Sequence, residues 1–388
     1  MMNALENVNI NRVISDTLDL VHIPSATGNT LDAAARYEQM LREVGCTVER
    51  YEFIPNNPTL VAVYGEDCGG KSILFNGHMD VVPLAHDTAE VKDGRIYGRG
   101  ACDMKGSLAC ILEVVRILHE TNTVLPGKLI IVANSLHESP GGRGEDLYAL
   151  TSQIPLKADL AVVMEGASVD CTIAQLGSAT FEITVEREGD TCHQLYAAPN
   201  TPHPITIAAE VVRLLDQWNI ELEKEWIEDI GYASFFVGSL HSGQFYNQLP
   251  NQAVLVGVRR YDPHHTFENV EQTLKLRLDE LAEQHGVQIH LDMLKVRDGY
   301  RIDKHSSAVA ALQRAVSQVR KINLPLVGKK VVTDAGILAN ALGVPVLCCG
   351  PDQHTAHGDV EYVEINELEI TVKVYLKLIE EFMLNEAT

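Results

Sequence analysis

The chain has 388 residues, of which 46% are hydrophobic and 22% are charged, and its formal net charge is −22. This length exceeds what one hydrophobic core ordinarily supports, so we expect a soluble globular protein of two domains. The strong negative charge argues against nucleic acids and anionic membranes as partners, because their phosphate groups would be repelled.

Other features of the composition indicate a cytoplasmic protein. No stretch reaches the roughly 20 apolar residues that a membrane span requires. Residues 1–25 have acids and asparagines where a signal peptide needs a basic region and an apolar block, so we expect them to begin the fold. The eight cysteines are scattered and no pair has CxxC spacing, which favours reduced thiols.

The first part of the chain alternates helices and strands. Apolar residues at helical spacing predict helices, and short apolar runs predict buried strands. In chain order we expect a helix over 32–45, strands over 59–65 and 71–77, a helix over 107–120, and strands over 128–136 and 158–165. This alternation predicts an α/β fold with a mostly parallel sheet between helices.

The pattern changes at about residue 177. Half-exposed strands now accompany two long helices, which is typical of an α+β layer with one open sheet face. We expect strands over 179–188, 233–243, 253–262 and 287–296, with helices over 205–218 and 267–286. The α/β pattern then resumes with helices over 305–319 and 365–384 and a strand over 344–352. Residues 1–176 and 297–388 should therefore form one domain, into which residues 177–296 are inserted.

The most informative stretch is 74–106. It begins LFNGHMDVVP and, after a polar gap, continues GRIYGRGACDMKG. Because side chains alternate along a strand, His78 and Asp80 point to the same side. Asp103 follows a glycine-rich turn just before a predicted helix, where an aspartate can also act as the helix N-cap. An imidazole and two carboxylates converging at strand ends suit a cation such as zinc.

More candidate ligands stand at the ends of other apolar runs. In open α/β sheets, ligands usually gather at these strand ends. The candidates are His137, Glu138, Glu165 and His357, and His354 competes with His357 for the last position.

Together these residues resemble the M20 family of metallopeptidases and amidohydrolases. This family includes acetylornithine deacetylase, succinyl-diaminopimelate desuccinylase, aminoacylase-1 and the carboxypeptidase G2 type. The resemblance covers nearly the whole chain and is carried by these motifs: IPSATGN (23–29), NGHMDVVP (76–83), GRGACDMKG (98–106), GDTCH (189–193), NQLP (247–250), VVTDAGILANALGVPVLCCGP (331–351) and AHGDVEYV (356–363). It implies a zinc-peptidase-like catalytic domain with an inserted lid and dimerisation domain.

The resemblance also implies which residues hold the metal. His78 would bind one ion and His357 the other, Asp103 would bridge both, and Glu165 would complete the first position. His357 is favoured over His354 because it stands four residues before Glu361, as the family spacing requires. The implied cofactor is zinc, one or two ions per subunit, for which cobalt can substitute.

Asp80 would have a supporting role. By resemblance it accepts the other ring N–H of His78, which fixes the tautomer and basicity of that imidazole. The alternative is an ordinary solvated or capping aspartate, and the HMD spacing beside a proposed ligand makes the supporting role the better hypothesis.

The sequence departs from the family where relatives carry two successive glutamates, a general base followed by a metal ligand. This chain has His137-Glu138-Ser139. Counted forward from Gly127, the pair falls on His137 and Glu138, so His137 would stand in the place of the base. Counted backward from the GGRG at 141–144, the pair falls on Glu138 and Ser139. Glu138 would then be the base, and the second metal would lose a carboxylate.

Both registers allow catalysis. An imidazole near its usual pKa accepts a proton at neutral pH, and a single metal can suffice to activate water. We favour Glu138 as the base by a small margin, because glutamate is the base in the family.

The inserted domain supplies further implied residues. His193 would donate to the oxyanion, and it would reach the site of the other subunit in a homodimer formed through the lid sheet. Asn247 and Arg259 would hold the substrate carboxylate, for which the bidentate arginine fork is suited. Arg260 is an alternative that points to the opposite face of the same strand.

The function implied by the resemblance is hydrolysis of the amide bond of a small N-acyl amino acid by a metal-activated water. A dipeptidase or carboxypeptidase of the same family is a close alternative. A catalytically impaired homologue that acts as a binding protein is the other class, and its support is the departure at 137–139.

Overall fold

A computed structural model describes residues 4–138 and 140–385. Ser139, on which the backward register depends, lies outside the described residues. Within the described residues, no helix combines the length and the apolar character that crossing a membrane would take.

The chain divides into two compact units. The first comprises the residues up to Ile173, Ile302–Val327 and those from Thr333 onward, and the second comprises Ala174–Arg301 and Gly328–Val332. The sequence placed the borders at 176/177 and 296/297 and assigned 328–332 to the first domain. This short segment contacts the second unit, where Lys330 Nζ lies 3.9 Å from the centre of the Tyr232 ring.

Helices form where the sequence has apolar residues at helical spacing. In chain order those of the described residues are α1 (Ile10–Val21), α2 (Leu31–Glu43), α3 (Gly106–Glu120), α4 (Glu145–Gln153), α5 (Pro204–Leu222), α6 (Phe267–His285), α7 (Ser307–Arg320), α8 (Ala335–Leu342) and α9 (Ile365–Ile379). Helix α2 ends shortly before Gly45, whose φ of 95° suits glycine. Helix α6 begins after Thr266, whose hydroxyl accepts a hydrogen bond from the Asn269 amide.

Strands form at the apolar runs and at several short segments that have no such pattern. In chain order they are β1 (Thr47–Ile54), β2 (Asn57–Tyr64), β3 (Ile73–His78), β4 (Glu90–Lys92), β5 (Arg95–Tyr97), β6 (Leu129–Asn134), β7 (Leu160–Ala167), β8 (Cys171–Gln175), β9 (Gly177–Glu186), β10 (Cys192–His193), β11 (Ser234–Ser242), β12 (Gln248–Leu249), β13 (Gln252–Tyr261), β14 (Gln288–Arg297), β15 (Tyr300–Arg301), β16 (Leu326–Lys329), β17 (Val346–Gly350) and β18 (Tyr362–Glu364).

The first unit is built on a six-stranded sheet of order β1-β2-β6-β3-β7-β17. The strands β6, β3, β7 and β17 are parallel to one another, whereas β2 pairs antiparallel with both β6 and the edge strand β1. Strands β3 and β6 are buried along their whole length, as expected for a sheet covered by helices on both faces. The prediction of an α/β domain with a mainly parallel sheet is confirmed.

The second unit has a four-stranded antiparallel sheet of order β11-β13-β9-β14. Residues on one face share a hydrophobic core with α5 and α6, including Phe181, Leu255, Trp218 and Leu274. Burial alternates along β13, because successive side chains of a strand point to opposite faces. The expected α+β layer is therefore present.

This architecture brings several candidate residues to one edge of the large sheet. His78 is the last residue of β3, His137 and Glu138 follow β6, and Glu165 lies near the end of β7. The loop after β17 carries His357. Because these four strands are parallel neighbours, their carboxyl ends meet at the same edge.

Candidate metal centre

Asp103 lies between two imidazoles. Its Oδ1 is 3.2 Å from Nε2 of His78, and its Oδ2 is 3.3 Å from Nε2 of His357. Gln353 Nε2 donates to Oδ1 at 3.0 Å. The carboxylate does not cap α3, since its two oxygens face these side chains. Asp103 therefore joins two sets of candidate ligands, as a bridging carboxylate must.

The first set is His78, Asp103 and Glu165. The Nε2 atom of His78 lies 3.8 Å from Oε1 of Glu165, and both side chains are buried. Among the described residues, Oε1 of Glu165 has no hydrogen-bond partner, which is costly for a buried carboxylate. Zinc ligands at about 2.0–2.2 Å in tetrahedral geometry lie about 3.3 Å apart. The 3.2 Å and 3.8 Å separations from His78 to Asp103 and Glu165 are close to this spacing, so His78 could share a divalent cation with either carboxylate.

The second set is Asp103, Glu138 and His357. Glu138 Oε1 lies 3.0 Å from Nε2 of His357, so Glu138 stands where the forward register places a metal ligand. His354 lies apart from this set, because its Nδ1 contacts Asp352 Oδ2 at 2.6 Å and its side chain is exposed.

Asp80 supports both sets. The Nδ1 atom of His78 lies 2.9 Å from the Asp80 carbonyl oxygen and 3.5 Å from Oδ1 of its carboxylate. The Asp80 carboxylate also accepts hydrogen bonds from the amides of His137 and Glu138, the latter at 2.8 Å. One buried aspartate thus orients the His78 imidazole and fixes the backbone that carries the 137–138 pair.

The electrostatics of the site favour positive charge. Burial alone would lower the pKa of His78, but hydrogen bonds to Asp103 and Asp80 raise this pKa well above its usual value. Hydrogen bonding, first to Asp103, raises the pKa of His357 to about 10. Burial raises the pKa of Glu165 to about 7. A divalent cation would take the place of the protons that these groups bind.

His137 lies beside the first set without being able to share its ion. One ring nitrogen each of His78 and His137 and an oxygen of Glu165 lie within 4.8 Å of one another. However, the two rings are stacked, with centres 4.1 Å apart and planes 5° from parallel. An imidazole binds metal along its in-plane lone pair, and one ion cannot lie in two separated parallel planes. His137 is therefore available for another role.

Two residues that the sequence singled out in the second unit are brought together. Asn247 Nδ2 lies 3.1 Å from Nε2 of His193, because Asn247 immediately precedes β12 and His193 pairs with Gln248 of that strand. His193 also accepts a hydrogen bond from the Leu195 amide through Nδ1.

The expectation for Arg259 does not fit the structure. Its side chain is only 4% exposed and lies on the helix-covered face of β13, with the guanidinium 4.2 Å from the centre of the Phe235 ring. Its neighbour Arg260 points to the open face, as the alternation along a strand requires. Within the described residues, Nη1 of Arg260 has no hydrogen-bond partner.

Sequence reasoning missed two residues of the site. Gln353 contacts Asp103, and Asp334 Oδ2 lies 3.0 Å from Nδ1 of His137. Asp334 belongs to the TDA segment at 333–335, which marked a resemblance but gave no sign of what its carboxylate contacts. Gln353 had no signal, because a single loop glutamine follows no pattern.

Comparison with known proteins places this site in context. The sequence pattern of peptidase family M20/M25/M40 matches residues 74–381. The chain is 28% identical to an N-formyl-4-amino-5-aminomethyl-2-methylpyrimidine deformylase of Halalkalibacterium halodurans, over 91% of this chain and 90% of that protein. It is 26% identical to a succinyl-diaminopimelate desuccinylase of Methylibium petroleiphilum, over 81% and 83%. The fold is similar to that of aminopeptidase PepT from Bacillus cereus, with a TM-score of 0.80 and 19% identity over 97% of this chain and 99% of that one.

Proposed function

Because this chain belongs to peptidase family M20/M25/M40, we propose that it hydrolyses the amide bond of a small N-acyl amino acid. The observation that carries the proposal is the position of Asp103, whose two carboxylate oxygens face His78 and His357. Such an arrangement serves metal-assisted hydrolysis, in which two positions are held by one bridging carboxylate.

Two divalent ions fit the donor set. His78, Asp103 and Glu165 would hold one, and Asp103, Glu138 and His357 would hold the other. Zinc suits these nitrogen and oxygen donors, and cobalt is a substitute. When bound, the metal lowers the pKa of water and polarises the amide carbonyl.

We assign the general base to His137 and the ligand role to Glu138, against the small preference that the sequence gave to Glu138 as base. The contact between Glu138 and His357, at 3.0 Å, supports the forward register. His137 keeps its Nε2 on the side of the site, 3.7 Å from Glu165 Oε1. There it takes a proton from the attacking water and later returns it to the leaving amine.

The second unit would contribute the substrate contacts. His193 remains the proposed donor to the developing oxyanion. Asn247, its neighbour, remains a proposed contact for the substrate carboxylate. We replace Arg259 with Arg260 for the substrate carboxylate, because Arg259 is buried on the helix-covered face, whereas Arg260 lies on the opposite face and is only half-buried. The exposed apolar residues Phe236 and Val256 of this sheet support a homodimer formed through the second unit.

The compartment proposed is the cytoplasm. All eight cysteines are free thiols, which suits a reducing environment.

A second substrate class has support from one relative. The deformylase of Halalkalibacterium halodurans acts, by its name, on an N-formyl aminopyrimidine, and it is 28% identical to this chain over 91% of its residues. Formyl amides of heterocyclic amines are therefore the alternative to N-acyl amino acids.

The experiment is a hydrolysis panel with zinc-loaded and cobalt-loaded protein. It contains N-acetyl and N-succinyl amino acids, dipeptides and an N-formyl aminomethylpyrimidine. We expect turnover of at least one N-acyl amino acid and its loss in His78→Ala. Preference for the formyl pyrimidine would favour the alternative, and turnover of no member above that variant would support a binding protein.

A further inference from the structure

Asp334 occupies a helix N-cap position without acting as a cap. It precedes α8, and aspartate at such a position ordinarily accepts a hydrogen bond from an amide of the first turn. Its carboxylate makes no capping hydrogen bond. The neighbouring hydroxyl of Thr333 instead accepts from the Ala335 amide at 3.2 Å. The ordinary explanation for an aspartate here therefore does not apply.

The Asp334 carboxylate points to His137 instead. Oδ2 lies 3.0 Å from Nδ1 of the imidazole, and Asp334 is only 1% exposed. A carboxylate can only accept hydrogen bonds, so Nδ1 of His137 must carry a proton in this contact. In the neutral imidazole this leaves the lone pair on Nε2, on the side of Glu165.

Two buried asparagines hold the Asp334 carboxylate in place. Asn134 Nδ2 donates to Oδ2 of Asp334 at 2.8 Å, and Asn76 Nδ2 donates to Oδ1 of Asn134 at 2.9 Å. The second bond fixes which end of the Asn134 amide faces Asp334. All three side chains are buried, and such a polar chain is costly to bury unless its members are paired.

We propose that Asp334 is a positioning residue, which acts on the reaction through His137. It keeps the proton on Nδ1 and the ring in the orientation in which Nε2 faces the metal centre, much as carboxylates orient imidazoles in other active sites. This inference rests on the proposed function, because it requires His137 to be the base. The chain thus replaces the glutamate base of its relatives with a two-residue unit drawn from separate segments.

A double-mutant cycle tests this unit. The variants are Asp334→Ala, His137→Ala and the double variant, all zinc-loaded and assayed on the N-acyl amino acid that the unaltered protein hydrolyses best. Asp262→Ala is the matched control, because Asp262 Oδ1 lies 2.7 Å from Nδ1 of the exposed His264. Zinc content and the His137 tautomer, from long-range proton–nitrogen NMR correlations, are measured on each protein.

We expect Asp334→Ala to lower kcat by about 10²–10³-fold with KM changed little, zinc content unchanged and the Nδ1–H tautomer of His137 lost. In the His137→Ala background the same change should have no further effect on kcat. The Asp262→Ala control should leave kcat unchanged.

Other outcomes separate the two proposals. Full activity of His137→Ala would remove the proposed base. If His137→Ala is inactive and Asp334→Ala is fully active, only the positioning role of Asp334 is overturned. The same holds if His137→Ala is inactive and Asp334→Ala has lost its zinc. If the His137→Ala background is too inactive for the cycle, the NMR spectrum decides, and an unchanged tautomer in Asp334→Ala overturns the inference.

Discussion

The imidazoles of His78 and His137 are stacked, with ring centres 4.1 Å apart and planes 5° from parallel. Each ring has a carboxylate at Nδ1, from Asp80 and Asp334 respectively. As histidines, both residues could bind a metal ion. Because their ring planes are parallel, however, the in-plane lone pairs of both rings cannot point at the same ion. We therefore expect His78 to be a metal ligand and His137 to have a different role.

If His137 is not a metal ligand and Glu138 is one, substitutions at these adjacent positions should leave different amounts of zinc bound. His137→Ala should retain two zinc ions per chain, whereas Glu138→Ala should retain one, because Glu138 faces His357. Elemental analysis after exhaustive dialysis measures both. A His137→Ala protein that loses as much zinc as His78→Ala would contradict this expectation.

Asp80 should govern metal affinity without touching the ion. Removal of its carboxylate takes away the 3.5 Å contact with Nδ1 of His78 and frees the amides of His137 and Glu138, so we expect Asp80→Ala to weaken zinc binding by about 10–100-fold. Competition with a chromophoric chelator measures the affinity. The exposed Asp87 is a matched control, and an equal effect of Asp87→Ala would refute the specific role of Asp80.

Glu165 should make the metal-free protein less stable as pH rises. Its pKa is about 7 in the folded chain, above the usual 4.5, because of burial. A carboxyl whose pKa is higher in the folded than in the unfolded chain lowers the free energy of unfolding as pH rises from the unfolded-state pKa to the folded-state pKa, and above that the loss stays constant. At about 1.36 kcal/mol per pKa unit, this loss reaches about 3 kcal/mol.

The stability of Glu165→Gln relative to the unaltered protein should therefore increase as pH rises from about 4.5 to about 7. Thermal unfolding in chelator across this range gives the difference in Tm. The matched control is Glu66→Gln, at an exposed glutamate. A difference in Tm for Glu165→Gln that stays constant across this pH range would contradict the raised pKa of Glu165.

Substitution of the adjacent Arg259 and Arg260 should affect different properties, the first stability and the second substrate binding. Arg259 is buried against Phe235, so Arg259→Ala should cost about 1–3 kcal/mol of unfolding free energy. Arg260→Ala should instead raise KM for a carboxylate-bearing substrate by about tenfold or more. Denaturant unfolding and steady-state kinetics measure the two effects, and a KM increase confined to Arg259→Ala would restore the original assignment.

Much of the fold was accessible from the sequence because it depends on local periodicity. The helix expected over 107–120 is α3, and the strand expected over 128–136 contains β6. The antiparallel edge formed by β1 and the transfer of Gly328–Val332 to the second unit were missed. Both depend on which distant segment a strand or loop meets, and periodicity carries no such information.

The sequence by itself indicated the family, which the match to peptidase family M20/M25/M40 confirms, and it proposed candidate metal ligands, because motifs such as GHMD and GRGACDMKG place them at predicted strand ends. Our choices between the registers at 137–138 and between Arg259 and Arg260 are proposals that could be argued only from the tertiary structure. The first choice depends on contacts between distant parts of the chain, as Glu138 faces His357 and His137 faces Asp334. The second depends on which face of β13 the helices cover, where Arg259 lies against Phe235. Spacing along a chain cannot encode that geometry, since it arises when the parallel strands bring their ends to one edge.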